Sequence, residues 1–185
     1  IEADGPIPGP NSMISLGAVA INRYEKLGEI EINFFPLKGS KPHPQTMKWF
    51  SNHAPKALEY TKINQVSPNN GMNKFGDWLL TFPNPRVMAA HPAPLDFMWI
   101  NWYMQTFLEE RLEEIPFSNP FFDKKGMAAL DIKSYAAAKL KKNFIDMSKD
   151  DYGQDLYDNS KHTHKAIDDA REYAQLLIKL LNKTD

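Results

Sequence analysis

The sequence predicts an α/β domain in which helices flank a mixed β-sheet. Met13–Ile21 is an almost continuous apolar run, typical of a buried strand. Glu29–Phe35 alternates charged and apolar residues, as a strand with one exposed face does. Ala166–Leu181 has apolar residues at helical spacing, which predicts an amphipathic final helix. Strand and helix signals that alternate along one chain favour a sheet with helices packed on its faces.

The remaining elements lie around and between these three segments. The two strands are expected to pair as a hairpin, with the turn at Glu25–Gly28. Apolar residues at helical spacing, or a proline suited to a helix start, predict four further helices: Pro42–Leu58, Gly71–Phe82, Asp96–Leu112 and Lys133–Leu140. Short apolar runs predict two more strands: Arg86–Ala90 and Gly126–Ile132. The polar segment Lys149–Lys161, which contains Gly153, is predicted to be a mobile loop.

The composition limits the classes of function. With 185 residues the chain is long enough for a sizeable core, and we expect residues 1–185 to form one domain. Cysteine is absent, which excludes disulfides and thiol catalysis and suits a cytoplasmic protein. The formal net charge is −1, so the chain lacks the overall basic character that would indicate nucleic-acid binding. Because the sequence has no run of about 18 uncharged apolar residues, we expect no membrane-spanning segment.

Three separated acids and one histidine carry the chemistry that the sequence offers. Glu2 ends a strand at the very start of the chain, Asp96 opens a strongly apolar helix, and Asp169 lies in the first turn of the final helix. Two Mg²⁺ ions held by such carboxylates about 3.5–4 Å apart can activate a water and stabilise the leaving oxygen of a phosphodiester. His164, with an unperturbed pKa of about 6.5, could accept the proton of that water. These are the parts of a two-metal phosphodiesterase.

Each of these residues also has an ordinary structural interpretation. An aspartate near a helix N-terminus is favourable as a cap, which applies equally to Asp96 and Asp169. A loop histidine is often a surface residue or is hydrogen-bonded to the backbone. His162 and His164 would face the same side of an extended segment and could together bind zinc, although no cysteine is present to complete such a site.

Three short motifs occur in order along nearly the whole chain. Ile1–Gly5 reads Ile-Glu-Ala-Asp-Gly, His91–Asp96 reads His-Pro-Ala-Pro-Leu-Asp, and His164–Asp169 reads His-Lys-Ala-Ile-Asp-Asp. The first resembles the end of an Asp-x-Glu motif that is followed by small or polar residues and a glycine. The second and third resemble segments in which an aspartate begins a helix, the third being His-x-Ala-x-x-Asp. Together they resemble the three motifs of the DEDDh (DnaQ-like) 3′–5′ exonucleases.

This resemblance implies a fold, an activity and a set of functional residues. The fold would be ribonuclease H-like, a mixed five-stranded sheet flanked by helices. Two divalent metal ions, Mg²⁺ or Mn²⁺, would be held by four acids, among them Glu2, Asp96 and Asp169. His164 would be the general base that deprotonates the attacking water, while the second metal stabilises the leaving 3′ oxygen.

The resemblance also implies where the substrate lies. Nucleoside monophosphates would be released one at a time from the 3′ ends of single-stranded DNA or RNA. Ala3, Asp4 and Gly5 would lie beside the terminal nucleotide. His91 is expected at a strand end, with a structural or substrate-side role.

Two features depart from the family pattern. The aspartate of the first motif would precede Ile1, so the first strand is expected to be clipped at its start. A real loss of that aspartate would instead favour a catalytically inactive nucleic-acid-binding module of the same fold. The second departure is a duplicated pattern, since His91 and His164 both lie five residues before an aspartate with an alanine between, and the resemblance favours His164 as the base. Asp168 competes with Asp169 for the metal-ligand role, and the spacing from His164 selects Asp169.

Several questions stay open in the sequence. Trp49 and Phe50 could stack on nucleic-acid bases, although packing in the core is the more ordinary role for an aromatic residue. The motifs do not distinguish DNA from RNA. The oligomeric state is likewise undecided, a homodimer included.

Overall fold

The computed structural model describes residues 1–83, 86–108, 129–157 and 163–184. Within these ranges five strands are present: β1 Glu2–Ala3, β2 Met13–Ile21, β3 Lys26–Asn33, β4 Ala89–Ala90 and β5 Leu130–Asp131. Six α-helices accompany them: α1 Pro44–His53, α2 Pro55–Tyr60, α3 Pro68–Leu80, α4 Ala93–Phe107, α5 Ile132–Lys139 and α6 Ala166–Asn182. Short 3-10 turns occupy Phe144–Asp146 and Lys149–Tyr152.

The hairpin predicted from the first strand pair is present, but its turn lies elsewhere. β2 has the predicted bounds and pairs antiparallel with β3. The turn was expected at Glu25–Gly28, yet Gly28 lies within β3, opposite Ala20. The chain instead reverses just after Asn22. The Asn22 Oδ1 atom accepts hydrogen bonds from the backbone N–H groups of Tyr24 and Glu25, at 2.7 and 2.9 Å. An asparagine side chain that satisfies backbone donors in this way fixes a turn.

The five strands form two sheets rather than the single five-stranded sheet that was expected. β1, β2 and β3 form an antiparallel sheet in that order, and β4 pairs parallel with β5. β1, β4 and β5 have only two residues each. Strands of this length contribute few ladder hydrogen bonds, so within the described part of the chain they do not join the sheets into one.

Helix boundaries follow the prolines and the caps more closely than the apolar pattern. The helical segment predicted at Pro42–Leu58 is two helices, because Pro55 has no N–H and disfavours a helical conformation at Ala54, which has φ −140°. α4 begins at Ala93, so Asp96 lies in its first turn instead of opening it. The strand predicted at Arg86–Ala90 is confined to β4.

Two main apolar clusters hold these elements together. One lies between the three-stranded sheet and helices α3 and α4, with Phe34, Met72, Trp99 and Tyr103 fully buried. The other joins α5 and α6 to the 3-10 turns. This second cluster includes Tyr152, Leu156 and Tyr157, so these three residues of the segment predicted to be a mobile loop belong to the core, while residues 153–155 are exposed. Residues 158–162 lie outside the described ranges.

None of the helices in the described ranges is long and apolar enough to cross a membrane.

Candidate active site

Glu2 lies on the sheet face against which the final helix begins. It sits opposite Ser15 of β2, and Gly17 follows two residues later on the same face of that strand. A Cβ at Gly17 would lie 2.3 Å from the Ala166 carbonyl carbon, so only glycine allows the start of α6 this close to β2. The hairpin register and this glycine therefore bring Glu2 and the first turn of α6 to one place.

Asp96 approaches the same place from α4. The amino nitrogen of Ile1, next to Glu2 in the chain, lies 2.6 Å from Asp96 Oδ1. The capping interpretation of Asp96 does not describe this structure, since the N-terminus of α4 is bonded by Asp131, whose Oδ2 accepts the Ala93 N–H at 2.8 Å. The Asp96 carboxylate is thus directed toward β1 rather than toward its own helix terminus.

The electrostatics show that the three carboxylates are near one another. The pKa of Glu2 is raised from 4.5 to about 7, chiefly by burial. The positive charge at the Ile1 amino nitrogen lowers this pKa, and the negative charges of Asp169 and Asp96 contribute to raising it. Carboxylates on other elements whose charge raises the pKa of Glu2 lie within electrostatic reach of it. The fold thus gathers Glu2 from β1, Asp96 from α4 and Asp169 from α6.

This donor set suits a hard divalent cation. Carboxylate oxygens are what Mg²⁺ and Mn²⁺ prefer, and a cation would offset the repulsion that raises the pKa of Glu2. In the described ranges, however, no three histidine, aspartate or glutamate side chains are arranged as a group that could hold a metal ion. The carboxylates are therefore gathered but not in a coordinating arrangement.

His164 lies two residues before the first residue of α6 and beside helix α1. Its backbone has a φ of +56°, in the left-handed region that few non-glycine residues adopt. Its ring meets the Trp49 ring edge-to-face, with centroids 5.1 Å apart and an interplanar angle of 89°. His162, the partner required for a zinc site, lies outside the described residues.

Asp168 and Asp169 have different surroundings. Asp168 accepts a hydrogen bond from the Thr163 hydroxyl at 2.7 Å and forms an ion pair with Arg171 at 2.8 Å. Asp169 instead contributes to the negative field at Glu2. The two neighbouring acids thus face different groups, one in a surface network and the other toward β1 and α4.

Asp4 and Gly5, predicted beside the terminal nucleotide, are built into a buried loop. Asp4 Oδ1 accepts the Ser12 N–H at 2.6 Å, and the Asp4 carbonyl accepts the His43 N–H at 2.7 Å. A Cβ at Gly5 would lie 2.1 Å from the Asn11 side chain. These contacts connect the segment after Glu2 to the start of α1.

An open pocket of about 320 Å³ lies where this loop meets α1. Its lining residues are Pro6, His43, Gln45, Thr46 and Trp49. Trp49 has 41% of its surface exposed and also contacts His164, whereas its neighbour Phe50 is buried. Of the two roles considered for these aromatic residues, Phe50 therefore packs in the core, whereas Trp49 lies at the pocket, where stacking on a base stays a prediction.

Comparison with known proteins agrees with this arrangement of motifs. Residues 1–177 match the model of the RNase_T family, described as exonucleases. The chain belongs to the RNase_T exonuclease family. A protein of Escherichia coli named 3′-5′ DNA exonuclease Cap18 is 25% identical to it over 193 residues, covering 99% of this chain and 89% of that protein. The family predicted from the three motifs is thus confirmed.

In this member of the RNase_T family, His91 follows β4 and lies among aromatic side chains. Its ring stacks on Tyr173 of α6, with centroids 4.6 Å apart and the planes 5° from parallel. Its Nε2 shares a hydrogen bond with the Tyr152 hydroxyl. This environment fits a structural role, while a substrate-side role for His91 stays a prediction.

Sequence reasoning missed Asp131, and of the residues that line the pocket it named only Trp49. Asp131 accepts the Ala93 N–H and also caps its own helix, α5, by accepting the Ser134 N–H at 2.7 Å. The Asp-x-x-Ser pattern at Asp131 is a recognisable cap signal for α5. The bond to α4 has no sequence signal, since its partner lies 38 residues away.

Proposed function

We propose that this protein is a divalent-cation-dependent 3′–5′ exonuclease that releases nucleoside monophosphates from single-stranded nucleic-acid ends. The observation that carries the proposal is the convergence of Glu2, Asp96 and Asp169 from three separate elements. Membership of an exonuclease family supports the reaction class. The name of the Escherichia coli relative supports the 3′–5′ direction and favours DNA over RNA as the first substrate to test.

In this proposal the three carboxylates hold the cofactor, Mg²⁺ or Mn²⁺, as a pair of ions. The ions would offset negative charge on the scissile phosphate and on the leaving 3′ oxygen. Binding them requires Glu2 to be ionised, and their positive charge would lower its pKa from about 7. A chain with a net charge of −1 could in this way accept a polyanionic substrate at an acidic site.

His164 is the proposed general base. A neutral imidazole nitrogen accepts a proton from the attacking water as its oxygen bonds to phosphorus. The bond between phosphorus and the 3′ oxygen breaks, and that oxygen takes a proton from solvent. The position of His164 just before α6, the helix that carries Asp169, supports this proposal. Ala3, Asp4 and Gly5 are proposed to lie beside the terminal nucleotide, next to the pocket lined by Trp49.

A degradation assay tests the proposal directly. The natural protein, with any residues that precede Ile1, is incubated with 5′-labelled single-stranded DNA and RNA in Mg²⁺, in Mn²⁺ and with a chelator. We expect a ladder that shortens from the 3′ end in either metal and no shortening with the chelator. A 3′-blocked DNA should be protected. Degradation that persists undiminished with the chelator would contradict the metal-dependent mechanism.

Asp169→Asn provides a residue-specific arm, and Asp168→Asn is its matched control. Removing the Asp169 charge should weaken Mn²⁺ binding in a calorimetric titration and reduce turnover strongly, because a proposed ligand loses its charge. Asp168→Asn should leave Mn²⁺ binding and turnover nearly as in the unaltered protein, since Asp168 interacts with Thr163 and Arg171. An unchanged Mn²⁺ titration for Asp169→Asn would rule out its assignment as a ligand.

The alternative is a catalytically inactive nucleic-acid-binding module. It is favoured by one observation, that no three potential ligands in the described part of the chain are arranged as a metal-holding group. This alternative predicts retention of labelled single-stranded DNA in a gel-shift experiment without degradation in either metal. Such a result would replace the exonuclease proposal.

A further inference from the structure

The turn that carries His164 is held from two sides by side chains of α1 and α2. Its backbone occupies the left-handed region, with a φ of +56°. A non-glycine residue keeps such a conformation only when its surroundings stabilise it. The contacts around the turn are therefore expected to matter for the placement of the imidazole.

Trp49 of α1 supplies the first contact. Its ring meets the His164 ring edge-to-face, 5.1 Å between centroids. The indole is itself held by ring contacts within α1, with Phe50 at 5.3 Å and with His53 at 5.4 Å. Because Phe50 is anchored in the core, Trp49 presents a fixed surface to the imidazole.

Tyr60 of α2 supplies the second contact, on the residue after His164. The Lys165 ammonium lies over the Tyr60 ring, 3.8 Å from its centroid, in a cation–π contact. The Tyr60 hydroxyl donates a hydrogen bond to Glu31 Oε2 on β3 at 2.6 Å. The ring under Lys165 is thereby tied to the sheet.

We propose that Trp49 and Tyr60 are positioning residues that hold the His164–Lys165 turn in its left-handed conformation and aim the imidazole at the carboxylate site. The inference rests on the proposed role of His164 as general base. Neither residue needs to touch the reacting atoms, since each acts through the turn. Small displacements of a proton-accepting group are costly, and a shift of about 1 Å can lower a rate about 100-fold.

Substitutions at Trp49 separate this role from simple packing. Trp49→Leu should lower kcat roughly 10- to 100-fold with little change in KM, because the base is misplaced while substrate still binds. Trp49→Phe keeps an aromatic face toward His164 and should restore most of kcat. Trp78→Leu, a change in the first core cluster, controls for general loss of packing and should leave kcat unchanged below its melting temperature.

A double-variant cycle tests whether Trp49 acts through His164. In single-turnover assays, Trp49→Leu should produce no further loss when it is combined with His164→Ala, since the group that it positions is already gone. Multiplicative losses would overturn the inference, because they indicate an independent role. A raised KM with unchanged kcat for Trp49→Leu would also overturn it, in favour of direct substrate binding at the pocket.

Tyr60 gives an independent arm. Tyr60→Phe retains the ring beneath Lys165 and should keep kcat within about threefold, whereas Tyr60→Leu removes the cation–π contact and should lower kcat several-fold. Equal losses of kcat in the two variants would assign the effect to the bond between the Tyr60 hydroxyl and Glu31, and would overturn the role given to the cation–π contact. If His164→Ala alone keeps full activity, the proposed role of His164 as general base fails. If His164→Ala is inactive while Trp49→Leu and Tyr60→Leu are normal, only the positioning inference fails.

Discussion

Two segments of this chain have the same pattern, His-x-Ala-x-x-Asp, but the structure gives them different surroundings. At His91–Asp96 the histidine is stacked on Tyr173 and hydrogen-bonded to Tyr152. At His164–Asp169 the histidine lies in a left-handed turn against an exposed tryptophan. The helices also begin differently, because the backbone of α4 is bonded by a side chain from another element, whereas no side chain caps α6 at Lys165.

The difference teaches that spacing locates the aspartates but not the function of the histidines. Both patterns bring their aspartate near Glu2, as the raised pKa of Glu2 indicates. A histidine held between two tyrosines has its hydrogen-bonding capacity engaged by the protein. His164, by contrast, lies just before α6 with its ring against Trp49, a residue that lines an open pocket.

The largest expected effect is on turnover. His164→Ala should lower kcat by about 100- to 10,000-fold, the usual contribution of a general base, while binding of single-stranded DNA survives. His91→Ala should lower kcat by far less. Steady-state degradation assays measure kcat for both variants, and filter binding measures their affinity for single-stranded DNA. Comparable losses of kcat in the two variants would mean that the histidines share the chemistry and would break the distinction.

Asp131 accounts for the different start of α4, and its substitution should lower the stability of the protein. Asp131→Ala removes the bond to Ala93 and the cap of α5, so we expect the free energy of unfolding to fall by about 1–3 kcal/mol in urea denaturation. Asp131→Asn keeps one of the two side-chain oxygens, so its free energy of unfolding should lie between those of Asp131→Ala and the unaltered protein. If the alanine and asparagine variants are equally stable, the double capping role is wrong.

His91 should contribute stability through its ring. His91→Ala removes the stack on Tyr173 and should lower the free energy of unfolding by about 1 kcal/mol, whereas His91→Phe keeps the stack and should lose less. Thermal and urea unfolding of the two variants provide the measurement. A phenylalanine variant as unstable as the alanine variant would assign the stability to the hydrogen bond with Tyr152 instead.

The parts of the fold that the sequence predicted best are those governed by local periodicity. β2 has its predicted bounds, and α6 extends only one residue beyond its predicted end, because burial of one face leaves a regular apolar pattern. The family motifs identified the acids that converge, but neither motif nor periodicity predicted that Trp49 would meet His164. Contacts between residues more than 100 positions apart depend on the packing of whole elements. The same reason explains why two-residue strands and the Asp131 bond to α4 escaped prediction.

The smallest expected effect concerns the outer side of α6. Arg171 pairs with Glu29 of β3 at 2.8 Å and with Asp168, which joins the helix start to the sheet. Hydrogen bonds from Arg171 and Lys26 lower the pKa of Glu29 from 4.5 to about 2. A carboxyl whose pKa is lower in the folded than in the unfolded state stabilises the fold at pH values above its unfolded-state pKa. For Glu29 this stabilisation is therefore complete above pH 4.5 and disappears as the pH falls toward about 2.

Glu29→Gln should therefore be slightly less stable than the unaltered protein near neutral pH, with the difference vanishing as the pH approaches about 2. The exposed position of the pair keeps the effect small, and added salt should reduce it further because the charges are screened. Urea unfolding across this pH range, at low and high salt, measures it. The network lies on the side of α6 away from the carboxylate site, so kcat should not change. A loss of kcat in Glu29→Gln would mean that the start of α6, and with it the His164 turn, depends on this surface network as well as on Trp49 and Tyr60.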